Sequence, residues 1–221
     1  MSVLDTIQRG QQKQSVCVML YGVHGIGKSS FGTEAPAPVF LGSEDNSELS
    51  AAKFPIVKKW SDLEAALKAL RDERHDFKTL VIDTIDNLQD IAQVEILSKE
   101  PGKNMATAFG GFGKAYEQMQ TMFLKIREDY LKPIRAKGMH IVLLAHAQKT
   151  KHEDPMTATS WDHYQPSLHK KVQPIFQDWV SAILFAQYHL TKAESDEGKS
   201  YVTGDGRRIL YTEERPSHVA K

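Results

Sequence analysis

The chain has 221 residues, long for one average domain and short for two. Its 41% hydrophobic and 25% charged residues are ordinary for a globular chain, which excludes wholesale disorder, collagen and coiled coil. Lys and Arg total 28, as do Asp and Glu, so any polyanion site must be built locally rather than by net charge. A single cysteine, Cys17, cannot form an internal disulfide and fits a reducing cytoplasm. No stretch approaches the roughly 20 apolar residues of a membrane span, and nothing near the start reads as a secretory signal. The expectation is a soluble cytoplasmic protein with no membrane partner.

Short apolar runs alternate with helix-like stretches, the pattern of an α/β fold. Residues 15–21 (SVCVMLY) read as a buried strand, followed by a helix that Pro36 and Pro38 limit to about two turns. Residues 38–41 form the next strand. Residues 61–74 form an amphipathic helix, with Leu63, Ala66, Leu67 and Leu70 on one face and a Ser61–Glu64 capping box. A strand over 79–83 comes next, and residues 98–113 (SKEPGKNMATAFGGFG) are Gly-rich and irregular. A helix over 114–137 carries Met119, Met122, Phe123, Ile126 and Tyr130 on one stripe; Pro133 kinks it and Gly138 closes it. Strands over 140–145 and 180–186 flank a polar, irregular stretch, 148–174, of a length that is often functional. The tail reads as a hairpin, SYVT and RRILY around Gly204-Asp205-Gly206. These elements make one domain over 1–221: an N-terminal segment 1–14, a core 15–190, and a hairpin and tail 191–221.

Residues 22–29, GVHGIGKS, match G-x-x-x-x-G-K-[ST]. Gly22, Gly25 and Gly27 allow a tight turn whose N–H groups, those of His24 and Ile26 included, face phosphates. Lys28 supplies a solvent-side cation to the β- and γ-phosphates of ATP, and the Ser29 hydroxyl ligates Mg²⁺ with Ser30 beside it. By composition alone this pattern arises in roughly one chain per hundred of this length. Its position between a buried strand and a helix start gives it meaning.

The strand TLVID ends in Asp83, the expected second carboxylate on the Mg²⁺ side. Thr84 follows instead of Glu, so a water-activating base must come from elsewhere. Glu44, just past the strand PVFL, is the candidate; Asp45 is the alternative, and both could instead cap the next segment. His146, after IVLLA, is the candidate contact to the γ-phosphate, with Gln148 second; a structural histidine is the plainer reading.

This order of parts resembles the RecA superfamily core over roughly residues 15–190. Its details are similar to small phage-encoded RecA-like proteins, including the Sak group of single-strand annealing recombinases. The stretches that carry the likeness are YGVHGIGKSSFGTEAPAPVFLGSEDN, TLVIDTIDNL, IVLLAHAQK and RRILYTEERPSHVAK. The resemblance implies an ATPase with a mostly parallel sheet flanked by helices. It also implies a homo-oligomer, ring or filament, acting on single-stranded DNA in the host cytoplasm beside a single-strand-binding protein. Residues 98–113 and 148–174 fall where RecA-like proteins place DNA-binding loops. There Lys149, Lys151, Lys170 and Lys171 could meet phosphates, and Phe109, Phe112, Trp161 and Tyr164 could stack on bases. A solvated loop with an apolar anchor explains the same residues. Two other readings share the core. A helicase-like or packaging motor would need a finger from a neighbouring subunit, with Lys149, Lys151, Arg215 or Lys221 as donors. A small-molecule kinase usually carries an Arg-bearing lid, yet 148–174 contains no Arg. A nucleotide switch with little turnover would leave Glu44 idle.

Overall fold

The computed structural model describes residues 15–154, 159–194 and 200–221. In chain order the first half contains β1 (Cys17–Gly22), α1 (Lys28–Thr33), β2 (Pro38–Leu41), β3 (Ala52–Lys53), α2 (Trp60–Asp72), β4 (Thr79–Ile82) and α3 (Asn87–Leu97). The second half contains α4 (Lys114–Lys125), α5 (Lys132–Ala136), β5 (His140–Asp154), β6 (Thr159–Pro166), α6 (Gln173–Gln177), β7 (Ala182–Glu194) and β8 (Ser200–Tyr211). The expected N-terminal segment 1–14 lies outside the described residues.

The strands lie in the order β3-β2-β4-β5-β1-β7-β8, with β6 against β5. Every pairing from β3 to β7 is parallel; only β5–β6 and β7–β8 are antiparallel. This is the mostly parallel α/β sheet expected of a P-loop NTPase core, with a C-terminal antiparallel hairpin. Side chains alternate across a strand, and the two faces are covered unequally. Met19, Tyr21, Leu80, Ile82, Ile141 and Leu143 pack under α2, α3, α4 and α5 in the larger core. Leu20, Phe40, Val81, Val142 and Leu144 form a smaller one with Ile26 of the β1–α1 loop. α1 has only six residues, as the two prolines imply. Cys17 is fully buried, and burial pushes its thiol pKa up to about 12.

The tail belongs to the sheet. Lys221 exchanges both backbone hydrogen bonds with Ile183, and the Tyr21 hydroxyl donates to Val219 O at 2.7 Å. β7 passes residue 190 without a break. Among the described residues, no helix is long and apolar enough to cross a membrane.

Several expectations need correction. Residues 148–154 and 159–166 are not irregular: β5 runs on to Asp154 and pairs with β6 over Ala147–Pro166 to Asp154–Thr159. Both faces of that ribbon are largely solvated, so it lacks the apolar alternation that makes a strand readable. Gly204-Asp205-Gly206 is no turn but lies inside β8, at an irregularity opposite Tyr188 and Leu190. Extra residues at such sites draw glycine just as turns do. The helix over 114–137 is broken by a wide π turn, Ile126–Leu131, ahead of Pro133. Proline lacks the N–H that would bond the Asp129 carbonyl, and Arg71 Nη1 supplies that bond at 2.9 Å. α3 was not anticipated at all, although Leu88, Ala92 and Ile96 repeat every four residues on its buried face.

The capping box is also displaced. α2 starts at Trp60, and Asp62 accepts from the N–H groups of Lys59 at 2.9 Å and Lys58 at 3.2 Å. Glu64 instead takes the Lys125 ammonium of α4 at 2.8 Å. Asp62→Ala should therefore destabilise the fold by about 1 kcal/mol, the worth of a helix cap, while Ser61→Ala is near neutral. Urea unfolding midpoints of the two variants check this; equal midpoints would refute the assignment.

Candidate functional site

In open α/β sheets, ligands gather at the carboxyl ends of the strands, and the marked residues meet there. Gly22 stands in parallel register with His146 of β5 on one side and Ala186 of β7 on the other. The loop from Gly22 to Ser29 leaves this point and enters α1. Gly27, with φ +101°, takes a left-handed conformation that side chains rarely adopt, and its carbonyl accepts the Phe31 N–H at 3.0 Å. Ile26 anchors the loop in the smaller core, while His24, Gly25 and Ser30 are exposed.

Lys28 is not the solvent-side residue expected. It is 7% exposed, and its ammonium donates to the carbonyls of Gly22 at 3.3 Å and Val23 at 3.2 Å. The loop wraps its own lysine. Burial lowers the Lys28 pKa, with Glu44, Asp86 and Asp83 pulling it back up.

Ser29 Oγ donates to Asp83 Oδ2 at 2.8 Å, joining the loop to the end of β4. Asp83 is fully buried, and its Oδ1 has no hydrogen-bond partner. Buried carboxylate oxygens are normally satisfied, so this orphan beside a hydroxyl suits a hard cation. Mg²⁺ keeps several waters and phosphate oxygens and takes only one or two protein ligands. Ser29 and Asp83 fit that need. Among the described residues, no cluster of three or more His, Cys, Asp or Glu offers an all-protein metal cage.

Glu44 lies past the end of β2, and three groups meet its Oε1. Asn87 Nδ2 donates at 3.0 Å, Thr84 Oγ1 at 3.4 Å, and His146 Nε2 stands 3.8 Å away. Glu44 also lines a cleft of about 470 Å³ with His24, Asp86 and His146 among others. Asp45 does not share this environment. It is exposed and accepts the Ser47 N–H at 2.9 Å, a local turn bond that holds its pKa below the usual carboxylate value. Geometry separates the two acids in favour of Glu44.

His146 is fixed by Asp86. Its backbone N–H donates to Asp86 Oδ1 at 3.0 Å and its Nδ1 lies 2.7 Å from Oδ2. A carboxylate at that nitrogen places the ring proton on Nδ1 and leaves Nε2 toward Glu44. The ring also stacks on His24, centroids 4.1 Å apart. Gln148, the second candidate, instead bonds the carbonyls of Pro166 and Leu168 at 3.2 and 3.4 Å, and so serves the ribbon.

Sequence reasoning left Thr84, Asp86 and Asn87 without roles. The signal available was a run of polar residues directly after a fully apolar strand. It also passed over Tyr188, whose hydroxyl donates to Gly25 O at 3.0 Å across 163 positions.

The candidate DNA residues divide. Lys149 pairs with Asp162 and Lys171 with Glu117, each at 3.0 Å, whereas Lys151 and Lys170 are exposed with no ion pair among the described residues. Phe112 is 97% exposed, but Phe109 packs against the larger core. Trp161 and Tyr164 are structural: the indole donates to Pro216 O at 2.6 Å, and the Tyr164 ring stacks 5.3 Å from Phe185.

A family model described as an AAA domain matches residues 14–221. No curated protein matches the chain.

Burial raises the Asp83 pKa, with the Ser29 hydroxyl opposing it. The folded state therefore favours the protonated carboxyl. The stability this group contributes is fully present below its unfolded pKa and is lost as pH rises through the folded one. Asp83→Asn should thus unfold at a higher midpoint than wild type at pH 7, a stability gain at the expense of function. The difference should shrink as pH falls toward about 4, the unfolded carboxylate range. Thermal unfolding at both pH values decides it, and a variant less stable than wild type at pH 7 sinks the account.

Proposed function

Because the chain belongs to the AAA domain family, whose members are P-loop ATPases, we propose that it hydrolyses ATP to control single-stranded DNA. Lys28 and the loop N–H groups bind the phosphates. Ser29 and Asp83 hold Mg²⁺, which when bound offsets the phosphate charge. Glu44 Oε2 takes the proton of a water whose oxygen bonds to the γ-phosphorus, and the bridging oxygen departs on ADP. Asn87 and Thr84 hold Glu44 by its other oxygen, and His146, fixed by Asp86, stands beside it on the γ-phosphate side.

One chain of contacts carries the DNA reading. Asp86, which fixes His146, opens α3; one turn later Gln89 holds the Ser167 carbonyl at 3.1 Å and the His169 N–H at 2.7 Å. His169 stacks on Tyr116 with centroids 4.4 Å apart, and Lys171 pairs with Glu117, both in the first turn of α4. The residue range 98–113, with exposed Phe112, leads straight into that turn. The γ-phosphate side is thereby tied to both candidate DNA segments, and differential contacts in two nucleotide states would shift them. The resemblance to the Sak group adds the role: strand annealing in phage recombination, by a ring or filament of identical chains, alongside a single-strand-binding protein. The kinase reading loses ground because 148–154 and 159–166 form a ribbon rather than a lid. A motor shares the site and differs in needing directional translocation.

Glu44→Gln should keep ATP affinity and lose turnover by about 10²–10⁴-fold; loss in Asp45→Asn instead would move the base by one residue. ATP turnover should rise with single-stranded DNA, and annealing of complementary strands should follow. In the same assay, Lys151→Ala with Lys170→Ala should reduce the salt slope of DNA binding by about 1.4, at roughly 0.7 per phosphate contact. Their neighbours Lys149 and Lys171 should matter less, since each must first leave a carboxylate. An unmoved slope and affinity would remove DNA from this surface.

A further inference from the structure

The β7–β8 ribbon places a cation on the phosphate loop. Arg208 on β8 stands directly opposite Tyr188 on β7. Opposed residues of an antiparallel pair project from the same face, and Tyr188 already bonds Gly25 of the loop at 3.0 Å. A Cβ built on Gly27 would lie 2.8 Å from Arg208 Nη1 and 3.8 Å from its Cζ. The guanidinium therefore rests on the backbone of the residue just before Lys28.

Nothing among the described residues explains the side chain as structural. Arg208 is exposed, with no ion pair or hydrogen bond to a described residue. Its neighbour Arg207 shows the contrast: it pairs with Asp205 at 2.5 Å and with His189 at 3.3 Å, away from the loop. Gly27 is required by its left-handed backbone, and the flexible end of Arg208 lies over it.

We propose that Arg208 is a phosphate-binding catalytic residue supplied in cis, by the same chain that carries the loop. The proposal rests on the ATP site and not on the DNA reading. A planar guanidinium with five donors suits phosphate oxygens better than a point charge does. Arg208 would meet γ-phosphate oxygens and offset the transition-state charge there as the bond between the bridging oxygen and the γ-phosphorus breaks and ADP departs with the electron pair. Lys28 gives two of its three ammonium donors to the carbonyls of Gly22 and Val23, so a second cation would complete the cradle. Of the four donors suggested by sequence for this role in a neighbouring subunit, Lys149 is engaged with Asp162 and Lys221 with the Gln177 carbonyl, while Lys151 and Arg215 carry no ion pair among the described residues.

The test measures binding first. Calorimetric titration of the full chain with Mg²⁺ and either the non-hydrolysable analogue AMP-PNP or ADP compares wild type, Arg208→Ala and Arg208→Gln. AMP-PNP affinity should fall about tenfold or more, the worth of a charge-assisted contact, and ADP affinity by less. Turnover should fall on the order of 10³-fold. Arg207→Ala should leave both affinities unchanged. Unaltered AMP-PNP affinity in both Arg208 variants, or an equal loss for both nucleotides, overturns the proposal. Mixing Arg208→Ala with Lys28→Ala subunits then separates cis from trans. A cis residue gives no rescue, whereas recovered turnover shows delivery from a neighbour and overturns it too. Failure of wild type to bind AMP-PNP would overturn the ATP site itself, a result distinct from any of these, and DNA enters none of the measurements.

Discussion

The site depends on how closely the ends of β2 and β4 approach. A Cβ on Gly42 would lie 1.8 Å from the Asp83 carbonyl oxygen, so only glycine permits this approach. The Asp83 N–H bonds Leu41 O at 3.0 Å and the Val57 N–H bonds Gly42 O at 2.9 Å, fixing both sides of the pinch. Two residues past Gly42, Glu44 meets Thr84 and Asn87; one strand away, Asp83 meets Ser29. One missing methyl group thus sets the distance between the acid that suits Mg²⁺ and the acid that suits water. A larger residue at 42 would push these two apart before it disturbed anything in the core.

The electrostatics of the site follow from that compression. Lys28 and Asp83 are both buried, and desolvation pushes each toward its neutral form, the lysine pKa down and the aspartate pKa up. Each also lies in the field of the other, which offsets part of the penalty. Buried opposite charges of this kind seldom add net stability. Their presence is better understood as chemistry than as architecture, since a phosphate and a divalent cation restore to both groups the partners that burial withholds. The chain as a whole has no net charge. Its local arrangement alone makes the loop receptive to a polyanion.

How much of this was legible in sequence depended on where the information sits. The strands β1, β2 and β4 were readable because they are short, almost wholly apolar runs, β1 and β2 ending at Gly and β4 at Asp83, and the loop was readable because its spacing is fixed by phosphate geometry. Glu44 was legible only as one of two adjacent acids; the choice needed the contacts of Thr84 and Asn87, 40 and 43 positions away. The β5–β6 ribbon stayed hidden because most of it is solvated and only its inner end, at Ala147 and Tyr164, meets the core, so no alternation marks its register. α3 is different: Asp86 and Asn87 are good cap residues, but Val94 is 70% exposed and Ile91 and Leu97 are only partly buried, so apolar residues run around the helix and blur its stripe. Arg208 was out of reach altogether, because its meaning comes from strand pairing with Tyr188 and not from any local pattern.

The position of β1 gives these separate parts one logic. Each of its two neighbours leads into an antiparallel ribbon: β5 on one side pairs with β6, and β7 on the other pairs with β8. The phosphate loop leaves β1 between them, at the level of His146 and Ala186. On one side His146 meets Glu44 and stacks on His24; on the other Tyr188 bonds Gly25 and Arg208 overlies Gly27. A displacement of the loop by even the width of a phosphate oxygen must therefore strain both ribbons, because closely packed parts shift between discrete arrangements rather than deform smoothly. The tail joins the same assembly. Tyr164 at the inner end of β6 and Val219 near the last residue both accept the Tyr21 hydroxyl, one residue before the loop begins. The β5–β6 ribbon and the tail thus meet at the residue before the loop, and the β7–β8 ribbon meets the loop itself.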